Sequence, residues 1–175
     1  MTSTAKTTAR KKCISNKAQC ADLWDDIKAV VVTTIRDTAV IVDKDGKPLR
    51  DIILWLDQRE VKDADKTRFG AGFKSLLRLI NMYDMAAAQC KTSACNWVHE
   101  YEPEVWKKMH KFLMFSGYMT YRLTGVMKDS VANQIGHIPF DYKQKTWQGA
   151  HAITAPIFDL KAENMCELVE PGTII

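Results

Sequence analysis

A mixed α/β domain (α+β in its order of elements), with a sheet laid down early and helices packed on it afterwards, is the fold class this sequence predicts. Three observations carry that expectation. β-Branched and apolar residues crowd into three short runs between Ala29 and Leu56, AVVVTT, TAVIVD and DIILWL. The dipeptide Asp45-Gly46, with Pro48 after it, supplies turn chemistry between the second run and the third. Downstream, apolar residues recur at helical spacing over several segments, and strands followed by helices describe a layered domain.

Taken in order, residues 1–22 form a basic segment, with Lys6, Arg10, Lys11, Lys12 and Lys17 ahead of the first acid, Asp22. Its composition predicts disorder to about residue 8 and a short helix over 9–20, followed by apolar anchors at Leu23, Trp24 and Ile27. Strands are expected over 29–34, 38–43 and 52–56, because AVVV is too short and too continuous for an amphipathic helix. The charged stretch 57–68, DQREVKDADKTR, predicts a surface helix broken by Gly70 and Gly72. Phe73, Leu76, Leu77 and Ile80 mark one face of the next helix. Further helices are expected over 86–100, over 102–110 with Pro103 in its first turn, and over 112–123, stopped by Gly125. Residues 129–147 read as an irregular stretch with short strands, then a helix near 151–158 and a strand in the tail LVEPGTII.

The bulk numbers bound the function. At 175 residues the chain fits one domain burying roughly 70% of its extended surface, here expected over 23–175. The net charge of +4 gathers in the N-terminal segment, which has no aromatic or groove-reading residues, so nucleic acid is not an expected partner. Cys13, Cys20, Cys90, Cys95 and Cys166 are odd in number and lack Cys-x-x-Cys spacing, which predicts reduced thiols in a cytoplasmic protein. His99, His110, His137 and His151 have no metal-ligand spacing and read as surface or packing residues. No apolar stretch approaches the length of a membrane span, and the start lacks the apolar core of a secretory signal. An organellar transit peptide stays open there. Gly70-Ala71-Gly72 follows a polar helix rather than a strand, so it reads as a hinge, not a phosphate cradle.

Residues 33–59 follow the pattern TTxRDTxVxVDxDGKPLRxxIxWxDQR, and Pro103 to Trp106, Phe115 to Gly125 and Asp129 to Trp147 continue it. In order and spacing these pieces resemble the N-terminal domain of the FGGY family of carbohydrate kinases, over about residues 25–175. The resemblance implies a ribonuclease-H-like, actin-like ATPase domain. It also implies ATP-dependent phosphorylation of a sugar or polyol hydroxyl, with ATP and Mg serving the complete enzyme. The family's Asp-Gly-Thr-Thr-like phosphate turn has no counterpart upstream of Ala29, and the aspartate base and nucleotide domain lie beyond the matched region. The expectation is therefore an internal part of such a domain that binds neither cofactor and is inactive alone. Its sheet should expose an edge open to strand pairing or to a homo-oligomer. The alternative is a non-catalytic binding or assembly domain reusing half of the kinase fold.

Four residues carry the chemistry. A polyol offers only hydroxyls, each donor and acceptor, so its site wants a cation and a carboxylate side by side, as Arg36 and Asp37 are. In the resembled family these positions contact the sugar, commonly as Arg-Glu; the plain reading of the residues is a salt-bridged turn. Trp55 ends a strand, where an indole face suits the C–H side of a sugar, and the family's matching Trp lines the polyol site. Core packing is its other reading. Asp57 could hold a hydroxyl, or lock to Arg59 two residues on. The family's glycerol-specific tyrosine falls near Gln89, which leaves pentoses, pentuloses or other polyols as the expected substrates.

Overall fold

The structure is a computed structural model that describes residues 22, 25–149 and 151–175. The expected disorder and helix over residues 1–20, the basic cluster, and the anchors Leu23 and Trp24 lie outside these residues. Two compact units are present, residues 1–33 and 34–175. In the first, the described residues past a turn at Asp25–Asp26 have no regular structure, and Val30 and Val31 are 73% and 88% exposed. The strand expected over 29–34 is therefore absent. β-Propensity measures how well a side chain fits a pleated, half-buried surface, and this run has no ladder to join.

The second unit is built on one ribbon. Strand β1 (Ala39–Val42) pairs antiparallel with β2 (Lys111–Met114), placing Val40 opposite Leu113 and Ile41 opposite Phe112. Side chains alternate across a strand, so the ribbon has two apolar faces. Ala39, Ile41, Phe112 and Met114 join the larger core, while Val40, Val42 and Leu113 join a smaller one with Tyr118 and Cys166. The other edge of β1 is covered by its own hairpin return. Ala39 and Ile53 exchange both backbone hydrogen bonds, at 3.0 and 3.2 Å, and the Leu49 N–H donates to the Ile41 carbonyl at 2.9 Å. The expected strand over 52–56 is thus reduced to a single bridge at Ile53, with a second bridge earlier in the return at Pro48. The Asp57 N–H turns back to the Leu54 carbonyl at 2.9 Å, which ends the ladder.

The helices follow in two groups. α1 (Ala64–Arg68), α2 (Ala71–Leu79), α3 (Tyr83–Thr92), α4 (Ala94–Tyr101) and α5 (Pro103–Lys108) separate the two strands of the ribbon. The helix expected over 57–68 forms only in its last five residues, and Gly72 lies inside α2. Buried Ser93 divides the helix expected over 86–100, its backbone turning extended between α3 and α4. The apolar run at 112–114 is a strand where a helix is expected, and α6 (Phe115–Thr124) starts after it. A four-residue apolar run does not distinguish a buried strand from a helix end, and here the facing β1 decides. Gly125 caps α6 in the left-handed conformation, as its sequence position suggests.

After α6, β3 (Lys128–Ser130) pairs in parallel with β6 (Glu167–Val169), and β4 (Phe140–Asp141) pairs with β5 (Thr146–Trp147). These are the short strands expected of residues 129–147 and of the tail. Near 151–158 the described residues hold only a 3₁₀ turn at Ala155–Ile157. Cys90, Cys95 and Cys166 are buried free thiols, with burial pushing them up to about 11, 12 and 12. None of the described helices is long and apolar enough to cross a membrane.

Candidate sugar cleft

Asp37 sits at the entry to β1, and its backbone is left-handed, a conformation Asp tolerates better than most residues. The chain returns past β1 at Ile53 and turns at Trp55, so Trp55 and Asp57 come back to the same end of the ribbon. The α3–α4 junction adds Thr92, Ala94 and Trp97, and the loop after β3 adds His137. Together they enclose a cleft of about 490 Å³, with Asp37, Trp55, Asp57, Arg59, Trp97 and His137 in its lining.

Asp37, Trp55 and Asp57 thus share one concavity. Arg36 does not line it. It is exposed and borders an adjoining hollow with Ile35, Asp37, Trp55, Ile135 and Gly136. Asp37 pairs with His137: the imidazole Nδ1 lies 2.8 Å from Oδ2, and the His137 backbone N–H donates to Oδ1 at 3.2 Å. Burial works to raise the Asp37 carboxyl, but the hydrogen bonds and charge of His137 outweigh it and hold it below the usual range.

Asp57 and Arg59 form the lock that their spacing suggests. Arg59 Nε lies 2.8 and 2.9 Å from the two Asp57 oxygens, and the Arg59 backbone N–H donates to the same carboxylate at 3.0 Å. The Arg59 hydrogen bond brings the Asp57 carboxyl down to about 2. The guanidinium then stacks on Trp97, 4.3 Å from the ring centre, so the pair forms one rigid wall of the cleft. Arg50 lies nearby, bound in bidentate fashion to Glu102 at 2.6 and 3.1 Å.

The buried carboxyl of Asp129 organises the start of the loop that carries His137. That group accepts from Ser116 Oγ at 2.6 Å, Gln134 Nε2 at 2.8 Å, Asn133 Nδ2 at 2.8 Å and the Ser130 N–H at 2.8 Å. It therefore ties α6 to the loop that leads into Gly136 and His137. Ser93 Oγ completes the attachment by donating to the His137 carbonyl at 3.3 Å. His137, Trp97 and Thr92 are cleft residues that the sequence reading does not single out, and His137 is paired rather than simply surface or packing. Among the described residues, no group of three or more His, Cys, Asp or Glu side chains could hold a metal ion. Asp37 and Asp57 are each already engaged by a nitrogen donor.

The sequence model of the FGGY family of carbohydrate kinases, N-terminal domain, matches residues 5–175, reaching further upstream than the motifs alone. A xylulose kinase from Staphylococcus xylosus is 28% identical over 108 residues, covering 62% of this chain and 22% of that protein. A glycerol kinase from Thermococcus kodakarensis is 28% identical over 173 residues, covering 95% of this chain and 33% of that protein. Among solved structures, a xyloylose kinase from Brucella ovis superposes with a TM-score of 0.65 at 21% identity, over 89% of this chain and 31% of that one. A ligand-bound xylulose kinase from Lactobacillus acidophilus gives 0.57 at 16% identity, over 88% and 31%. These structural likenesses establish the fold, the actin-like ATPase fold of the sugar kinases. The chain spans a quarter to a third of the length of most of these relatives.

Proposed function

Because the chain belongs to the FGGY family of carbohydrate kinases, whose N-terminal domain it matches, we propose that residues 23–175 form the sugar-binding part of a cytoplasmic kinase acting on a pentulose or related polyol. The observation that supports the sugar site is the shared cleft of Asp37, Trp55 and Asp57. The two carboxylates accept hydroxyl hydrogens, and Trp55, 56% exposed, offers an indole face to the C–H side of the ring or chain. Arg36 reaches the sugar only from the adjoining hollow and serves as a rim donor. In this family's chemistry a magnesium-bound ATP supplies the γ-phosphoryl group. The residues described here supply orientation and polar contact, and the transfer step is assigned to none of them.

This polypeptide by itself is accordingly expected to bind D-xylulose weakly, no tighter than about 1 mM, or roughly 4 kcal/mol. It is expected to release no ADP from ATP in a coupled assay with D-xylulose, glycerol or gluconate. Calorimetry on the same panel checks the first point. The expected result is weak binding that disappears in Asp37→Ala and Trp55→Ala. A folded chain that binds none of the panel would favour the assembly-domain alternative. Turnover above background that vanishes in Asp37→Ala would place transfer residues in this chain after all.

A further inference from the structure

We propose that His137 is a positioning residue for sugar binding, holding the Asp37 carboxylate in place while it is an imidazolium. The proposal rests on the sugar-site reading above. Its warrant is the count of hydrogens around the ring. Nδ1 faces the Asp37 carboxylate at 2.8 Å and must donate to it. Nε2 faces Thr92 Oγ at 3.4 Å, and that hydroxyl has one hydrogen, which it gives to the Ala88 carbonyl 3.0 Å away. With its hydrogen on the Ala88 carbonyl, the Thr92 oxygen faces Nε2 as an acceptor and takes a hydrogen from it. In that arrangement both ring nitrogens donate, and the ring is the cation.

Loss of the proton rearranges the same four groups. A neutral ring keeps its hydrogen on Nδ1 for Asp37, and Thr92 must then turn its hydroxyl from Ala88 to Nε2. Thr92 lines the cleft, so the change is felt inside it. Asp37 keeps its contact but loses the charge assistance that fixes it, while each of its oxygens still has a lone pair to offer a sugar hydroxyl. The other charged groups lining the cleft are Asp57, Arg59 and Glu60 from the turn after Ile53. Arg59 is bound to Asp57, Arg36 borders the neighbouring hollow, and Thr92 and Ala94 bring no charge.

The titration runs in a definite direction. The Asp37 hydrogen bond raises the His137 pKa against the opposing effect of burial. Its stabilisation is therefore complete below the ordinary imidazole range and lost as pH rises through the raised value. The depressed Asp37 carboxyl contributes above the ordinary carboxylate range and loses its contribution as pH falls through its lowered value. The charged pair exists between those two limits.

The test uses the 175-residue chain, with D-xylulose as the probe and ¹⁵N NMR of the imidazole as a readout independent of sugar. The ring is expected to be doubly protonated at about pH 6 and to titrate above the ordinary histidine value of about 6.5. Xylulose affinity should fall about fivefold as pH rises through that titration. His137→Asn places an amide donor near the Nδ1 position without a titrating group. It should bind within about twofold of the wild type at low pH and show no pH step, whereas His137→Ala should bind about tenfold more weakly throughout. A ring that is neutral at about pH 6, or a His137→Asn variant with the wild-type pH step, overturns the proposal. Absence of any xylulose response at any pH overturns the sugar-site reading instead, and the imidazole spectrum still decides the state of the pair.

Discussion

Replacing Asp129 by alanine is expected to destabilise the chain by about 4 kcal/mol and to lower its melting temperature by about 12 °C. The side chain is 1% exposed and accepts from four donors, three of them side chains of Ser116, Asn133 and Gln134. Truncation leaves those donors facing a hole, and each buried unpaired donor costs about 1–3 kcal/mol. Asn133 lies nearer solvent and can relax, so the sum falls below the largest total. Ser116→Ala removes one donor and leaves the carboxyl its other partners, so it should cost only about 1 kcal/mol. Urea unfolding of the two variants checks the contrast, and equal losses would show that Asp129 does not organise the network.

Gly136→Ala is the second large effect, and it strikes the cleft directly. Gly136 has φ +103°, where an L side chain is strained, and an added Cβ would meet the Asp37 carboxyl below van der Waals distance. Rotating the carboxyl away does not relieve the clash, because the Asp37 Cβ itself would lie 2.8 Å from the new atom. Backbone strain of about 1–3 kcal/mol adds to the loss of the His137 contact, for an expected total of about 3 kcal/mol and no detectable xylulose binding. The double variant Asp37→Gly with Gly136→Ala removes the clash. It should recover stability relative to Gly136→Ala alone but not binding, a coupling that unfolding curves and calorimetry measure together. Full xylulose binding in Gly136→Ala would show that Asp37 is not part of the site.

What was legible in the sequence follows the range of the interactions. The run AVIV of β1 declared itself because β-branched residues met a turn signal, and the Asp57–Arg59 lock was readable because both partners lie within three residues. AVVV at 29–32 carries the same propensity and forms no strand, since propensity does not supply a partner. β2 was hidden inside an apolar stretch that helix and strand share, and only β1, some 70 residues earlier, resolves it. The same limit applies to the cleft. Asp37, Trp55 and Asp57 were visible through their motif, whereas His137 reaches Asp37 across 100 residues of chain and has no local signature. A histidine following a glycine within a polar loop is a weak hint at most. Trp97 packs partly against the core, and its stacking on Arg59 depends on where the turn after Ile53 brings that guanidinium.

The central claim is that a sugar binds among Asp37, Trp55 and Asp57, and chemical-shift mapping with D-xylulose on ¹⁵N-labelled chain tests it most directly. The account predicts concentration-dependent shifts at the Trp55 indole N–H, at the backbone amides of Asp37, Asp57 and His137, and at the Trp97 indole, all fitting one weak dissociation constant of about 1 mM or above. The amides of Asp43 and Lys108, at a separate charged hollow, should stay still. Shifts that gather at that hollow, or a spectrum in which Trp55 and Asp37 do not respond while other residues do, would contradict it.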